Sequence, residues 1–491
     1  MYDWSEEQLT IFNTATATSG DGFKHPLIKI EAVAGAAKSS SLVELANRYQ
    51  QGTSISYLVF GNANAAEARS SFKHMAKVST LHALAYHYIF NKYSFNVRRD
   101  VKPYIAYNSI PKALKIPYRL VADAVTLVND FCESNILSMT EFASDAKPVL
   151  VKYATSIMNA MVQGDMPITH GAYLKLFHSL VMTEEILIDP VDVLMIDEFG
   201  DITQQTIDIF LAYPAKQKIA VGDTAQSIFD FMGCVNGFKL LANRGITLHL
   251  SKSFRVSEHL APSIEYFCKR TIDKSFIFNG MSYPEIPNVM MSTAYITRNN
   301  SALIDKMIEL NKAGTAYRLI TKAKTDQLFK LPLFLLSPKA GRVYKDKELT
   351  SLQYHVDQYF KYKTDNSPSL RSYILSMNKD HPTLQQAART LMKFSASDII
   401  EAKNTADLHK KSNAKYILGT AFVFKGLTVD EVHISQELNN SVSDAMQALA
   451  ANEPLTEDQR TDCKLYYVAC TRARYKITNG VHLWQMNKYS L

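Results

Sequence analysis

Behind a short apolar strand the chain reads Lys29-Ile-Glu-Ala-Val-Ala-Gly-Ala-Ala-Lys38-Ser39-Ser-Ser-Leu42. This stretch restricts the fold more than any other, because it demands a strand, a tight loop of small residues and a helix start in immediate succession. In loops of the pattern G-x-x-x-x-G-K-[ST], glycines let main-chain N–H groups wrap a phosphate, the lysine reaches the outer phosphates, and the hydroxyl holds Mg²⁺. Lys38 and Ser39 are in place here, whereas Ala32 and Ala37 stand at the two glycine positions. Taken alone, the segment is equally compatible with an ordinary strand-to-helix turn.

The surrounding pattern extends the first alternative. Ser5 is a good N-cap for an N-terminal helix with an apolar face through Leu9, Ile11 and Phe12. Strands over Ile28–Ile30 and Ser54–Phe60, with helices after each, predict a parallel sheet with helical crossovers. At 491 residues the chain exceeds one core. The α/β pattern places a first domain over 1–95 and 181–245, split by a helical insert over 96–180. A second α/β domain is expected over 246–329 and 414–491, split by a polar, lysine-rich insert over 330–413. A net charge of +7 and a pI near 8.8 favour a polyanionic partner without requiring one. The five cysteines form no C-x-x-C pair, so neither zinc nor an iron–sulfur cluster is expected. No apolar run is long enough to span a bilayer and no signal peptide opens the chain, so a soluble intracellular protein is expected.

Two further strands end in acids. Val191–Ile196 runs into Asp197-Glu198, and Lys218–Val221 runs into Gly222-Asp223. Open parallel sheets bind ligands at the carboxyl ends of their strands. An acid that holds Mg²⁺, followed by a carboxylate that orients water, is the complement a phosphate loop requires. Further blocks follow in order: Phe60-Gly-Asn62-Ala-Asn-Ala-Ala-Glu67, Thr80-Leu-His82, Val221-Gly-Asp-Thr-Ala-Gln226-Ser-Ile-Phe229-Asp-Phe231-Met-Gly233, and Leu250-Ser-Lys-Ser-Phe254-Arg255. Near the end come Gly419-Thr420-Ala-Phe-Val-Phe-Lys425-Gly426-Leu427 and Leu465-Tyr-Tyr-Val-Ala-Cys-Thr471-Arg472-Ala473-Arg474. This succession resembles the motifs of the UvrD/Rep-like superfamily 1 DNA helicases. Lys38-Ser-Ser-Ser-Leu-Val, Thr169–Phe177 and Ser253-Phe-Arg255 are similar to the F-box-helicase branch, although no F-box region is expected ahead of them.

The resemblance implies two RecA-like parallel-sheet domains that bind ATP and Mg²⁺ and act on single-stranded DNA or DNA with single-stranded tails. Lys38, with the amides of Gly35, Ala36, Ala37 and Ser40, would hold phosphates; Ser39 and Asp197 would hold Mg²⁺; Glu198 would activate water. Gln226 would sense the outer phosphate, and Arg255 and Arg472 would act as arginine fingers, for which a surface salt bridge is the alternative. Gln8, Phe254 and Gly426 fall at nucleotide-contacting positions, with core packing the alternative for Phe254. Phe60, Asn62, Thr80, His82, Phe229, Phe231, Arg298, Thr420 and Lys425 fall where relatives touch nucleic acid, and core packing competes at the phenylalanines. The departures are Ala37, Gly200 in place of a glutamine, Met232 in place of an arginine, and Phe422 and Thr428 in the fifth motif. They leave a second expectation open: a nucleic-acid-binding scaffold that holds nucleotide with little turnover. An RNA-directed motor has less support, since no feature identifies a 2′-hydroxyl contact. No acidic cluster suggestive of a nuclease follows the last motif.

Overall fold

Ser5 starts the first helix as expected: its Oγ accepts from the Gln8 N–H, and the Gln8 side chain accepts from the Ser5 N–H, a reciprocal cap for α1 (Glu6–Thr16). Ile11, Phe12 and Ala15 turn inward from this helix. The computed structural model describes residues 3–20, 22–229, 233–283, 289–338, 347–377 and 382–483. These residues divide into two compact units, 1–251 and 252–491.

The first unit is built on six parallel strands: β1 (Leu27–Ala32), β2 (Ile55–Val59), β3 (Lys77–Thr80), β4 (Val191–Ile196), β5 (Ala215–Gly222) and β6 (Ile246–Leu250). Their order across the sheet is β6-β1-β5-β4-β2-β3. Every residue of β2 is buried, which explains why it reads as a continuous apolar run rather than an alternation. The crossovers include α2 (Lys38–Arg48), α3 (Asn62–Phe72) and α4 (Leu81–Lys92). The strand over 246–250, expected to open the second domain, instead pairs with β1 along its whole length, Ile246 opposite Ile28 and Leu250 opposite Ala32. Sequence alternation identifies a strand but not the sheet that receives it.

Helices over Tyr118–Glu133, Pro148–Gln163 and α5 (His170–Met182) make up most of the first insert. They do not form a separate body. Val128, Ile157 and Phe177 share one core with Leu194 of β4, Phe210 of α6 (Gln204–Ala212) and Phe199 between the two.

The second unit has five parallel strands: β7 (Thr293–Thr297), β8 (Arg318–Leu319), β9 (Tyr416–Thr420), β10 (Val429–Ile434) and β11 (Ala473–Thr478), in the order β8-β9-β7-β10-β11. Helices α7 (Asn300–Lys312), α8 (Gln436–Ala450) and α9 (Glu457–Cys470) flank them. Its insert is helical, and Ile374, Leu384 and Ile399 join the core of Leu303, Met307 and Leu418. Two parallel sheets covered by helices are the RecA-like architecture expected from the sequence. Among the described residues no helix is long and apolar enough to cross a membrane, no group of three or more His, Cys, Asp or Glu residues could hold a metal ion, and the cysteines are buried and form no disulfide.

Candidate functional site

The phosphate loop runs from the end of β1 into α2. Its entry is fixed by the Val33 N–H, which donates to the Leu250 carbonyl of β6 at 2.9 Å. Gly35 and Ala37 both take left-handed backbone angles, φ 76° and 58°. Ala37 is the N-cap of α2 and no side chain caps that helix, so its first amides point outward where an anion can meet them. Lys38 is the first residue of the helix and Ser39 is exposed beside it.

Asp197 leaves the end of central strand β4. Its Oδ2 accepts from the Tyr57 hydroxyl at 3.0 Å, and its Oδ1 accepts from the Glu198 N–H at 2.8 Å. Burial raises the Asp197 carboxyl above its usual range, the adjacent Glu198 charge adds to that, and the Lys38 ammonium opposes it. Glu198 sits at φ 56°. Ser39, Ser40, Asp197 and Glu198 line one cleft of about 490 Å³, together with Tyr57, Glu67 and Trp4. An exposed hydroxyl and a carboxylate on one wall are hard oxygen donors, the type Mg²⁺ takes. The phosphate loop and the acidic strand end, expected to meet, therefore do so within the first unit.

A polar framework surrounds Gln226, which the sequence named without its partners. Gln226 is buried, and its Nε2 donates to Asp223 Oδ2 at 2.6 Å. Asp201 Oδ1 accepts from the Ile228 and Phe229 N–H groups at 3.1 and 3.2 Å, holding the extended segment that carries Phe229. Phe229 is half-buried, and Phe231, its expected stacking partner, lies outside the described residues, as does Met232. Gly200 packs so closely that a Cβ there would lie 2.8 Å from the Asp223 carbonyl oxygen. The glutamine of the pattern this stretch resembles therefore has no room at this position unless the Asp223 segment shifts. Asp223 falls within a quoted motif and Asp201 lies three residues after Glu198, but Tyr57 sits in an apolar strand with no signal to single it out.

Gln8 is 1% exposed; one end of its amide accepts from the Ser5 N–H and the other donates to Ser41 Oγ at 2.8 Å. Its amide thus ties α1 to α2 rather than standing open toward a base. Phe60 is 65% exposed at the end of β2, and Asn62 is exposed at the start of α3. Thr80 is buried and its hydroxyl accepts from the Ala83 N–H at 3.1 Å, capping α4, while His82 stands exposed within the first turn.

In the second unit, Arg298 and Thr420 end the adjacent strands β7 and β9 and line a pocket of about 320 Å³ with Asn299, Gln327 and Lys330. The Arg298 Nε lies 2.6 Å from Asp462 Oδ1, and its N–H donates to Glu437 Oε2 at 3.0 Å. Burial pushes the Glu437 carboxyl up to about 7. Phe254 is half-buried with the Lys252 Nζ 5.5 Å from its ring centre. Lys425 is half-buried after the Ala421–Phe424 helix, and Gly426 turns at φ 91°. Arg255 is half-buried and donates from Nη1 to the Thr471 carbonyl at 3.2 Å. Arg472, expected as a finger, is 1% exposed, donating from Nε to the Val468 carbonyl at 2.8 Å, from Nη1 to the Leu427 carbonyl at 3.3 Å and from Nη2 to Thr471 Oγ1 at 3.1 Å. In this arrangement it knits the end of α9 to the loop before β10.

No family model matches the chain. Among curated proteins it is similar to F-box DNA helicase 1 of Gallus gallus, 23% identical over 449 residues that make up 84% of this chain and 43% of the relative. It is also similar to F-box DNA helicase protein 1 of Schizosaccharomyces pombe, 23% identical over 295 residues, 54% of this chain and 31% of the relative. The chain is thus similar to F-box DNA helicases. It spans less than half the length of either relative, and the similarity to the first runs through both α/β units rather than one.

Proposed function

We propose that the chain is an ATP-dependent single-stranded-DNA translocase and helicase of the UvrD-like superfamily 1 type, moving 3′ to 5′ and serving DNA replication, repair or recombination inside the cell. The observation that carries this reading is the shared cleft in which Ser39 and Ser40 of the phosphate-loop helix face Asp197 and Glu198. The DNA helicase relatives and the ordered motifs support the choice of substrate.

In this reading Lys38 and the uncapped amides of α2 bind the phosphates of ATP. Ser39 and Asp197 hold Mg²⁺, which supplies charge neutralisation at the phosphoryl group. Glu198 orients the attacking water and accepts its proton. Tyr57 holds Asp197 in place, and Asp223 positions Gln226 next to the phosphate end of the cleft. Arg255 is the stronger candidate for an arginine finger, because Arg472 would first have to leave three partners. Phe60, Asn62, His82, Phe229, Arg298, Thr420 and Lys425 line the DNA path, with Phe231 expected beside Phe229.

ATP hydrolysis measured with and without single-stranded DNA tests the proposal. Stimulation by DNA that Lys38→Ala abolishes is the expected result, and a Lys38→Ala protein as active as wild type would refute it. Unwinding of 3′-tailed against 5′-tailed duplexes tests the polarity. A second reading, a DNA-binding scaffold that holds nucleotide without useful turnover, draws on the strained Ala37 and the buried Arg472. DNA binding without stimulated hydrolysis in one preparation would favour it.

A further inference from the structure

We propose that α4 and the start of the first insert carry a second binding surface for single-stranded nucleic acid, running from His82 to the basic segment that follows the helix; it rests on the motor reading above and extends the path that includes His82. His82, Tyr86 and Phe90 recur at i, i+4 and i+8, so they form one stripe along the helix, about 12 Å long. Tyr86 is 49% exposed and stacks on Phe90 with ring centres 3.8 Å apart and planes 12° from parallel. Tyr173 of α5 braces the stripe edge-on, at 5.7 Å from His82, 6.3 Å from Tyr86 and 6.2 Å from Phe90.

A half-open aromatic row of this kind, fixed from behind and exposed in front, offers planar faces to about two or three bases. Its surroundings choose the occupant. From Lys92 to Arg119 the sequence has seven Lys and Arg residues against the single Asp100, which nearly equals the net charge of +7 on the whole chain. Lys92, Arg98 and Arg99 are exposed directly beyond the stripe, and Asp100 is held by Lys102. Rings for bases next to cations for phosphates match a flexible single strand. A duplex keeps its bases stacked inside and would not use the rings.

The test uses the full chain and fluorescence anisotropy with labelled oligothymidylates of about 8 and about 24 nucleotides and a blunt duplex, since one such track occupies roughly 4–16 nucleotides. Tyr86→Ala is expected to weaken the long oligomer by about 5- to 100-fold and to leave the short one, which fits the motor path alone, unchanged. Arg98→Glu with Arg99→Glu is expected to weaken the long oligomer and to flatten its salt dependence by about one in log–log slope. These residues are exposed enough that the melting temperature should hold, and the arginine pair serves if Tyr86→Ala misfolds. Unchanged affinity for the long oligomer in folded variants, equal loss for both lengths, or loss confined to the duplex would overturn the inference. A wild-type chain that binds neither oligomer would instead overturn the motor reading and this extension with it.

Discussion

At Ala37 an alanine takes the left-handed conformation that glycine usually fills, with φ 58° and ψ 37°. That conformation costs a Cβ-bearing residue about 1–2 kcal/mol, and part of the cost returns through the smaller freedom of alanine in the unfolded chain. Ala37→Gly is therefore expected to stabilise the first unit by up to about 1 kcal/mol, roughly 2–4 °C in melting temperature, and to tighten nucleotide binding. A lower melting temperature, or unchanged nucleotide affinity in a titration, would show that the strain is not what limits the loop. Gly200 behaves in the opposite way. Its backbone approaches the Asp223 carbonyl so closely that Gly200→Ala should cost about 1–3 kcal/mol, read by denaturant unfolding, and Gly200→Gln should not repair coupling. The sequence marks both positions as departures from a pattern, and only the backbone shows that one is a strained remnant and the other a close contact that excludes a side chain.

Among the elements, α8 and strand β7 are joined by one carboxylate. Glu437 accepts from the Arg298 N–H at 3.0 Å and from Asn299 Nδ2 at 2.5 Å, and burial is what raises it to about 7 from an ordinary 4.5. The folded state thus keeps this proton where the unfolded chain has already lost it. Stability from this group is complete below about pH 4.5 and falls as the pH rises toward 7, by at most about 3 kcal/mol. Glu437→Gln does not titrate, so its stability relative to wild type should improve from pH 5 to pH 8 in urea unfolding; a pH-independent difference would contradict the assignment. Such a group is invisible in sequence, because burial is a property of the packed elements. The elements themselves were far more legible. The cap at Ser5, the phosphate-loop helix and the acidic end of β4 all follow from local chemistry. The assignment of 246–250 failed because strand pairing is non-local, and both inserts looked separable because a shared core leaves no boundary mark in their helical periodicity.

For the molecule as a whole, the two arginines of the second unit separate coupling from stability. An arginine that stabilises charge on a transferring phosphoryl group in another domain contributes to turnover and little to folding, whereas one engaged with its own main chain does the reverse. Arg255 is half-buried and donates to the Thr471 carbonyl at 3.2 Å, while Arg472 is buried against two carbonyls and a hydroxyl. Arg255→Ala should lower DNA-stimulated turnover by about 10³-fold with the melting temperature nearly unchanged. Arg472→Ala leaves buried carbonyls without donors, each worth about 1–3 kcal/mol, and should lower the melting temperature by several degrees. Measured on the same preparations, turnover and melting place each arginine independently. If Arg472→Ala melts like wild type and loses turnover, then its buried arrangement is one that the working cycle abandons, and the second unit must rearrange its last helix each time ATP is hydrolysed.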